Sequence, residues 1–153
     1  MQGQDVLFSS KSSEWETPQD LFDKLNSQYH FTLDPCCTHE NAKCLKHYTR
    51  QENGLLQDWS NDTVFCNPPY GREIGEWVKK AYDEAIKGAK IVMLIPARVD
   101  TKWFHQYIYK KETEGIRVEF IKGRLKFTNR TSPTWEEKTF PATFPSMLVY
   151  FNL

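Results

Sequence analysis

The residues with the clearest chemistry in this 153-residue sequence are the consecutive Asn67, Pro68, Pro69 and Tyr70. They follow the short apolar segment 63–66, so the run is predicted to begin where a β-strand ends, which is where α/β sheets bind ligands. Two prolines fix φ and stiffen the turn. The Asn67 carboxamide oxygen and the Pro68 carbonyl can then accept both N–H bonds of one exocyclic amino group above the Tyr70 ring. The alternative is a rigid turn after an edge strand.

This run resembles the catalytic motif of amino-group methyltransferases that use S-adenosylmethionine, and the wider sequence resembles the phage-type DNA N6-adenine methyltransferase family. The resemblance implies N6 methylation of adenine in DNA, a Rossmann-like class I methyltransferase fold, and catalytic roles for Asn67, Pro68, Pro69 and Tyr70. The matching segments occur in the family's order: 15–18, 31–34, 41–43, 54–55 with 58–59, 64–70, 96–98, 103–105 and 123–127.

The resemblance also identifies candidate contacts to the methionine end of S-adenosylmethionine. Asp34 and Pro35 follow the first predicted strand, and an acceptor-only carboxylate suits an ammonium group. The family has a glycine-rich turn here, whereas residues 37–41 contain no glycine. A close approach of the backbone to the methionine end of the cofactor is therefore not implied. Thr17 and Pro18 match the segment that closes over the methionine carboxylate, at a predicted helix N-terminus. A plain cap is the alternative for both pairs.

The resemblance assigns the adenine end of the cofactor to Asp58 and Trp59. Asp58 would accept a hydrogen bond from the adenine amino group, and Trp59 would stack on the ring or wall the pocket. An ordinary turn explains the same two residues. Glu52 is the nearest acidic candidate for the ribose hydroxyls, and the sequence does not decide this position.

A base inside a duplex cannot reach the predicted turn, so the target must be flipped out of the helix. Tyr70 would stack on one face of that base, and Phe127 resembles the second aromatic platform of these enzymes, with a core position as the alternative. Accepting both N–H bonds stabilises charge that develops only in the transition state. Basic residues in predicted loops at the carboxyl edge are candidate phosphate contacts: Arg98, Lys102, Arg124, Lys126 and Arg130.

Alternating strand and helix patterns predict a mainly parallel α/β sheet with an antiparallel pair at one edge. The clearest helix, 74–86, repeats apolar residues with a 3.6-residue period and ends before Gly88. The unbroken apolar segment 91–95 is typical of a strand covered on both faces. The other predicted elements are helices at 17–29, near 40–47 and after Asp100, and strands at 31–33, 63–66, 116–121 and 147–151.

Length and composition predict one methyltransferase domain over residues 1–153, with residues 1–14 flexible and 128–146 forming a long loop. Lys plus Arg and Asp plus Glu each number 20, so the net charge is zero and a nucleic-acid footprint must be local. The sequence has neither an 18-residue apolar run nor a leader-like N-terminus. We therefore expect neither a membrane span nor secretion. The expected location is the cytoplasm of a bacterium carrying a phage or prophage. Double-stranded DNA is the expected partner, and the oligomeric state stays open.

The cysteines are expected to be reduced packing thiols because nothing indicates secretion. With His39 and His47 they have a faint resemblance to a zinc site. Yet the sequence has no Cys-x₂-Cys knuckle, and no metal is expected. The four cysteines lie in the first half of the chain: Cys36, Cys37, Cys44 and Cys66.

Rival functions stay open at this level. The N4 amino group of cytosine presents the same geometry to Asn67 as adenine N6, and RNA bases and protein glutamine amides are further targets of this motif type. A catalytically degenerate fold that holds nucleic acid without turnover is the rival from another class, supported by the missing glycines after Asp34. A zinc-stabilised structural domain is the most distant alternative.

Overall fold

A computed structural model describes residues 15–129 and 138–153. The flexibility predicted for residues 1–14 and the DNA contact predicted for Arg130 lie outside these residues. No helix of the described segments is long and apolar enough to span a membrane. The helices are α1 (Gln19–Tyr29), α2 (Ile74–Ile86) and α3 (Lys102–Tyr107), with 3₁₀ turns at Gly54–Leu56 and Glu112–Glu114. The strands are β1 (Asp34–Cys37), β2 (His47–Thr49), β3 (Thr63–Cys66), β4 (Lys90–Pro96), β5 (Ile116–Phe120), β6 (Lys126–Asn129), β7 (Lys138–Pro141) and β8 (Ser146–Phe151).

The central sheet has four strands in the order β3-β4-β8-β5. β3 pairs with β4 in parallel, while β8 lies antiparallel to both β4 and β5. The α/β class is therefore confirmed, but the sheet is small and mixed rather than clearly mainly parallel. The antiparallel pair predicted at one edge is β5 with β8, and β5 forms the outer strand.

β4 lies at the centre of the molecule and is covered on both faces. Ile91, Met93 and Ile95 belong to one cluster of buried side chains, and the alternate residues Val92 and Leu94 belong to the other. This alternation follows from the two-residue period of a strand. It explains why the segment is apolar without interruption.

Helices cover the sheet on both sides. α2 contributes Ile74, Trp77, Val78 and Ala81 to the first cluster, as its 3.6-residue pattern predicts. α1 contributes Phe22 and Leu25 to the second cluster. The protein therefore has an α/β layer order with its core on each face of the sheet.

Two local predictions around the first strand are wrong. Leu33 forms only an isolated bridge with Val64, and the strand continues through Asp34 to Cys37 instead of ending there. Residues 40–47, predicted as a helix, form turns and bends that lead into β2. Side-chain bonds compete with the helix here, since the Thr38 N–H donates to Asn41 Oδ1 at 2.7 Å.

Residues 128–146, predicted as a long loop, contain parts of a hairpin. β6 pairs antiparallel with β7, with Lys126 opposite Pro141, and β8 starts at Ser146. Residues 130–137 lie outside the described part of the chain. The Thr- and Phe-containing segments favour strands, and Glu16 adds a bridge to Thr128.

The start of α3 also differs from the prediction at one residue. Thr101, rather than Asp100, caps the helix, because its hydroxyl accepts a hydrogen bond from the Phe104 N–H at 3.2 Å.

Candidate active site

Asp34 and Asn67 lie at the same edge of the fold because their strands are neighbours. Leu33 bridges Val64 in parallel, and the Phe65 N–H donates to the Leu33 carbonyl at 3.0 Å. β3 is in turn parallel to β4. Carboxyl ends of parallel strands meet at one side of a sheet, so residues from three segments converge there.

A cavity of about 520 Å³ lies at this edge. It is lined by residues 15–17, 34–38 and 53–55, with Asn67 and Pro69 among its other walls. This volume is in the range of small-molecule and cofactor sites. Of the predicted cofactor contacts, Thr17, Asp34 and Pro35 line the cavity, whereas Pro18 does not.

The carboxamide of Asn67 is held in one orientation. Its Nδ2 donates to the Trp15 carbonyl at 2.7 Å and to Thr17 Oγ1 at 3.1 Å. Its Oδ1 accepts from the Tyr70 hydroxyl at 2.7 Å. Since both amide hydrogens are used, Oδ1 is the acceptor available to a ligand, and it retains a second lone pair.

Tyr70 is fixed beside Asn67 by its hydroxyl group. This group also lies 3.2 Å from the Leu94 carbonyl, at the adjoining strand β4. Burial raises the pKa of Tyr70 well above its ordinary value. The hydroxyl therefore stays protonated and serves as a hydrogen-bond donor rather than as a base.

Asp34 is a buried residue whose carboxyl group lies at the cavity, and 4% of its surface is exposed. Its oxygens accept from the Cys36 N–H at 3.3 Å and the Lys43 N–H at 2.9 Å. Burial raises the pKa of this carboxyl from 3.8 to about 6, although these two N–H groups lower it. A bound ammonium group would lower that pKa again.

Thr17 and Pro18 precede α1, as predicted. Pro18 occupies the N-cap position without a side-chain cap bond. Thr17 is buried, and its hydroxyl accepts from Asn67 Nδ2, so it links the start of α1 to the turn at residues 67–70. Lys43 also lines the cavity, and its ammonium group donates to Gln19 Oε1 at 2.6 Å. The cavity thus offers the Lys43 ammonium group and the Thr17 hydroxyl to a carboxylate.

The turn at Gly54–Leu56 closes the cavity by packing against the backbone of Pro35. A Cβ atom on Gly54 would lie 2.1 Å from the Pro35 carbonyl oxygen. Only glycine permits this approach. The Trp59 indole N–H donates to the Gly54 carbonyl at 2.9 Å and holds the turn in place.

The adenine contact predicted for Asp58 and Trp59 is not supported by their positions. Trp59 is fully buried and packs against Trp77, with ring centroids 6.2 Å apart, because its large apolar ring is drawn into the core. Asp58 is exposed and accepts from the Ser60 N–H at 2.9 Å. Glu52 is likewise exposed and accepts from the Thr49 N–H at 2.8 Å. None of these three residues lines the cavity.

Phe127 is a core residue, and its side chain is fully buried. Its ring lies edge-on to Tyr70, at 82° and a centroid distance of 6.3 Å. It therefore presents no face parallel to Tyr70, and the predicted stacking role does not follow from the structure. The burial arises because β6 is held between β7 and residue 16 of the N-terminal segment.

The predicted phosphate contacts that fall within the described residues are all exposed: Arg98, Lys102, Arg124 and Lys126. Arg98 follows the carboxyl end of β4. Arg124 follows β5. Met147 of β8 lies opposite both Ile95 of β4 and Phe120 of β5. β4 and β5 therefore end at the same edge, and Arg98 and Arg124 follow these strand ends on the side of the sheet that carries Asn67.

Of the cysteines near the cavity, Cys66 is buried, and Cys36, Cys37 and Cys44 are partly buried. Burial raises the pKa of each one, to about 12 for Cys44. His39 and His47 contact each other, with Nδ1 and Nε2 2.9 Å apart. Within the segments that the structure describes, no three His, Cys, Asp or Glu side chains are grouped as a metal site requires.

The structure adds cavity residues to which the sequence reasoning gave no role. Lys43, Asn53, Leu55 and Trp77 line it. Trp15 is a fifth such residue, and its backbone carbonyl accepts from Asn67 Nδ2. Trp15, Lys43 and Leu55 belong to the segments that carry the family resemblance, whereas Asn53 only precedes Gly54 and Trp77 lies on the buried face of α2.

Comparison with known proteins agrees with this geometry. Residues 5–152 match the family described as DNA N-6-adenine-methyltransferase (Dam). A DNA N-6-adenine-methyltransferase of Escherichia phage T1 is 37% identical over 92 residues, which is 59% of this chain and 38% of that protein. The match therefore spans well under half the length of this relative.

Two further similarities are weaker or shorter. A candidate methyltransferase, YfdM, of Escherichia coli (strain K12) is 38% identical over 64 residues, which is 37% of this chain and 70% of that protein. Among solved structures, the chain is similar to a candidate RNA methyltransferase from Pyrococcus horikoshii at 11% identity and a TM-score of 0.44, covering 94% of this chain and 82% of that one.

Proposed function

The chain belongs to the DNA N-6-adenine-methyltransferase (Dam) family, and on this premise we propose that it transfers a methyl group from S-adenosylmethionine to adenine N6 in double-stranded DNA. The orientation of Asn67 is the observation that carries the proposal. Both of its amide hydrogens are bound by Trp15 and Thr17, which leaves Oδ1 as an acceptor at the cavity. An exocyclic amino group is the donor that this acceptor fits.

The strand directions support a class I methyltransferase arrangement for this proposal. β3 and β4 run in parallel, and β5 shares their direction because both β4 and β5 are antiparallel to β8. The single reversed strand therefore lies between two strands of common direction. In this arrangement the cofactor and the target base would meet beyond the carboxyl ends of β1, β3 and β4.

The cavity fits S-adenosylmethionine by the chemistry of its lining. The Asp34 carboxylate suits the ammonium group, and Thr17 with the Lys43 cation suits the carboxylate of the methionine moiety. Leu55 and Trp77 offer apolar walls to the adenine ring. When bound, this cofactor supplies an electrophilic methyl group on a sulfonium centre.

The residues of the chain would act on the amino group of the target base. Asn67 Oδ1 and the Pro68 carbonyl accept its two N–H bonds and so favour a pyramidal nitrogen with an exposed lone pair. These acceptors stabilise the positive charge that develops on nitrogen in the transition state. One amino proton then leaves to water, and a carboxylate base is not required. Positioning of the two reactants supplies much of the remaining rate enhancement.

The exposed basic residues at the same edge would bind the DNA backbone while the target base leaves the duplex. The family relative from phage T1 supports an origin in a phage or prophage, and we place the activity in the cytoplasm of a bacterial cell.

The test is transfer of labelled methyl groups from S-adenosylmethionine to mixed double-stranded DNA, followed by digestion to nucleosides and identification by mass. We expect labelled N6-methyladenine, and we expect Asn67→Ala to lower the rate by roughly 100-fold or more, the range measured for loss of one preorganised transition-state contact. Asn61→Ala, an exposed asparagine outside the cavity, is the matched control and should keep the wild-type rate.

Other products would change the conclusion in defined ways. Labelled N4-methylcytosine would keep the mechanism and replace the base. Cofactor binding without any labelled DNA would contradict DNA as the substrate, and the absence of cofactor binding would favour a nucleic-acid-binding module without turnover.

A further inference from the structure

β5 is the outer strand of the central sheet, and one of its two sides is open to a further strand. Among the described strands, β8 is its only partner. Three of its five side chains are exposed, those of Arg117, Glu119 and Phe120, and Phe120 is 61% exposed. An open edge of this kind is a template for pairing with another chain.

The hydrogen bonds between β5 and β8 show which backbone groups point outward. The Ile121 N–H donates to the Ser146 carbonyl at 3.0 Å, and the Asn152 N–H donates to the Gly115 carbonyl at 2.9 Å. Hydrogen-bonded pairs alternate with non-bonded pairs along an antiparallel ladder. The odd-numbered residues of β5 therefore bond to β8, whereas the N–H and C=O groups of the even-numbered residues point away from it.

These outward groups are available to a second strand. In the described part of the chain, Val118 and Phe120 carry outward N–H and C=O groups without a backbone partner. The Ile116 N–H is already used, since it donates to the Lys111 carbonyl at 3.2 Å, but the Ile116 carbonyl points outward as well. A further strand can therefore bond to β5 without displacing any contact to β8.

The side chains of β5 are complementary to those of a second, antiparallel β5. With Val118 opposite Val118 of the second copy, each Arg117 lies opposite a Glu119. Moving the centre by one residue keeps the hydrogen-bond pattern but places Glu119 opposite Glu119, or Arg117 opposite Arg117. Opposite charges stabilise a cross-strand pair and like charges destabilise it, so charge selects the register centred on Val118.

The other face and the flanking segments fit the same register. On the face that carries Val118, each exposed Phe120 lies opposite an Ile116 and is covered by it. Glu112 precedes β5 and Lys122 follows it, and both are exposed. In an antiparallel pair the acidic start of one strand lies beside the basic end of the other.

Arg117 and Glu119 are held in place by contacts within the protein. The Arg117 guanidinium carbon lies 3.9 Å from the centre of the Tyr150 ring, Nη2 donates to the Tyr29 hydroxyl at 3.1 Å, and Nε donates to the Leu153 carbonyl at 3.3 Å. Glu119 accepts from the Tyr150 hydroxyl at 2.6 Å. Neither side chain forms an ion pair within the described segments. A guanidinium has five N–H donors and a carboxylate two oxygens, so both retain groups for a partner.

We propose that two copies of this chain associate through β5, in an antiparallel strand pair centred on Val118 in which Arg117 of each copy pairs with Glu119 of the other. The two central sheets then form one continuous sheet across a two-fold axis. Because the two β5 strands run in opposite directions, the edges that carry Asn67 face opposite ends of the dimer. Association requires neither cofactor nor DNA, so it does not depend on the proposed function.

The first measurement is sedimentation velocity of the whole chain at low salt, without cofactor or DNA. A pair of five-residue strands buries little surface, and association should therefore be weak. Between about 5 and 500 µM we expect a monomer–dimer equilibrium with a dissociation constant on the order of 10–100 µM.

Charge reversal tests the register. Arg117→Glu and Glu119→Arg should each weaken self-association at least about tenfold, because each homodimer would bring like charges together at two places. An equimolar mixture of the two variants should associate about as tightly as the wild type, since each variant supplies the charge that the other lacks. Lys79→Glu is the matched control, because it reverses an exposed charge on α2, and it should associate like the wild type.

Amide hydrogen exchange of the wild type tests the same interface without a substitution. The N–H groups of Val118 and Phe120 should exchange severalfold more slowly at about 500 µM than at about 5 µM, since pairing protects them. This readout decides the question if a charge variant has a lowered unfolding midpoint.

Four results would overturn the proposal. These are a wild type that stays monomeric at the highest concentration, charge variants that self-associate like the wild type, a mixture that associates no better than either variant alone, and exchange at Val118 and Phe120 that does not depend on concentration.

Discussion

Asp34 is a cavity residue whose carboxyl group departs from its ordinary behaviour in solution. Its carboxylate is buried beside the cavity and accepts hydrogen bonds from two backbone N–H groups, those of Cys36 and Lys43. Because burial raises its pKa to about 6, the folded state binds a proton more tightly than the unfolded state does. Between about pH 4 and 6, this group therefore makes the free energy of unfolding fall as pH rises. The positive charge of a bound ligand would offset this loss in the free energy of unfolding.

We predict that cofactor affinity follows the ionisation of Asp34. Only the carboxylate form attracts an ammonium group, so the affinity for S-adenosylhomocysteine should rise roughly tenfold between about pH 5 and 7. Asp34→Asn should bind at least about tenfold more weakly near pH 7 and lose this pH dependence. Isothermal titration calorimetry over this range measures both effects.

Asp58→Asn is the matched control for this prediction, because Asp58 is exposed and lies outside the cavity lining. It should leave both affinity and pH dependence unchanged. A wild-type pH profile in Asp34→Asn would show that Asp34 does not contact the cofactor ammonium group.

At the scale of elements, the cavity depends on how closely two loops approach each other. The Gly54–Leu56 turn packs against Pro35, and the Asp58–Ser60 loop is tied to α2 through Glu84. Glu84 is buried, with 2% of its side chain exposed, and accepts from the Trp59 N–H at 2.7 Å. It also pairs with Lys80 at 3.2 Å and Lys87 at 2.7 Å. Local sequence patterns do not reveal either contact.

Replacing Gly54 by alanine should destabilise the protein and weaken cofactor binding. The new Cβ would lie 2.1 Å from the oxygen and 3.0 Å from the carbon of the Pro35 carbonyl, so backbone must move. We expect a loss of about 1–3 kcal/mol in the free energy of unfolding, measured by urea denaturation. Gly75→Ala is the control, since its Cβ meets only the Trp103 side chain, at 3.3 Å. Equal effects of the two substitutions would contradict the close-approach argument.

Glu84→Gln should cost about 2 kcal/mol of stability at neutral pH, because hydrogen bonds to a charged group are lost. Burial raises the pKa of Glu84, but the bonds from Lys87, Trp59 and Lys80 outweigh it and lower the pKa overall. The stabilisation is therefore present above the ordinary pKa and disappears as pH falls below it.

The matched control is Asp83→Asn, which removes a pair with Lys79 whose side chains are 45% and 59% exposed. That exposed pair should contribute at most about 0.5 kcal/mol. Urea denaturation at neutral and acid pH measures both variants. A Glu84→Gln effect that persists unchanged well below the ordinary pKa would show that packing, rather than charge, is responsible.

For the whole molecule, the distribution of charge matters more than its sum. Equal numbers of acidic and basic residues give zero net charge. The exposed residues Arg98 and Arg124 nevertheless follow strands that end on the side of the sheet that carries Asn67, and Lys102 and Lys126 are exposed as well. A local patch of this kind releases few counterions when it binds DNA.

We predict a shallow salt dependence of DNA binding. If about four phosphates are neutralised, the logarithm of the association constant should fall with the logarithm of salt concentration with a slope of about −4. Arg98→Gln should make that slope shallower by about 1. Fluorescence anisotropy with labelled duplex DNA measures it.

Lys79→Gln is the control, because Lys79 pairs with Asp83 on α2 rather than lying in the patch. It should not change the slope. A slope twice as steep, or one unaffected by Arg98→Gln, would place the DNA elsewhere on the surface.

Elements with a strong local period were predicted from the sequence, because the pattern of their own residues is sufficient to identify them. The 3.6-residue repeat of 74–86 became α2, and the apolar segment 91–95 became the core of β4. The helix predicted at 40–47 is wrong because the side chains of Thr38 and Asp34 accept from backbone N–H groups of this segment, and no periodicity records such contacts. The hairpin of β6 and β7 was not predicted for a related reason, because the pairing of strands is not a local property.

The sequence by itself determined the family resemblance and the position of Asn67 directly after a strand, because both depend on residue type and on order along the chain. Tertiary structure alone decided which side chains face the cavity. It buried Trp59 and Phe127, left Asp58 in solvent and brought Trp15 to Asn67 across 52 positions of the chain. An aromatic ring can stack on a ligand or fill a core, and only the packing of distant elements distinguishes the two.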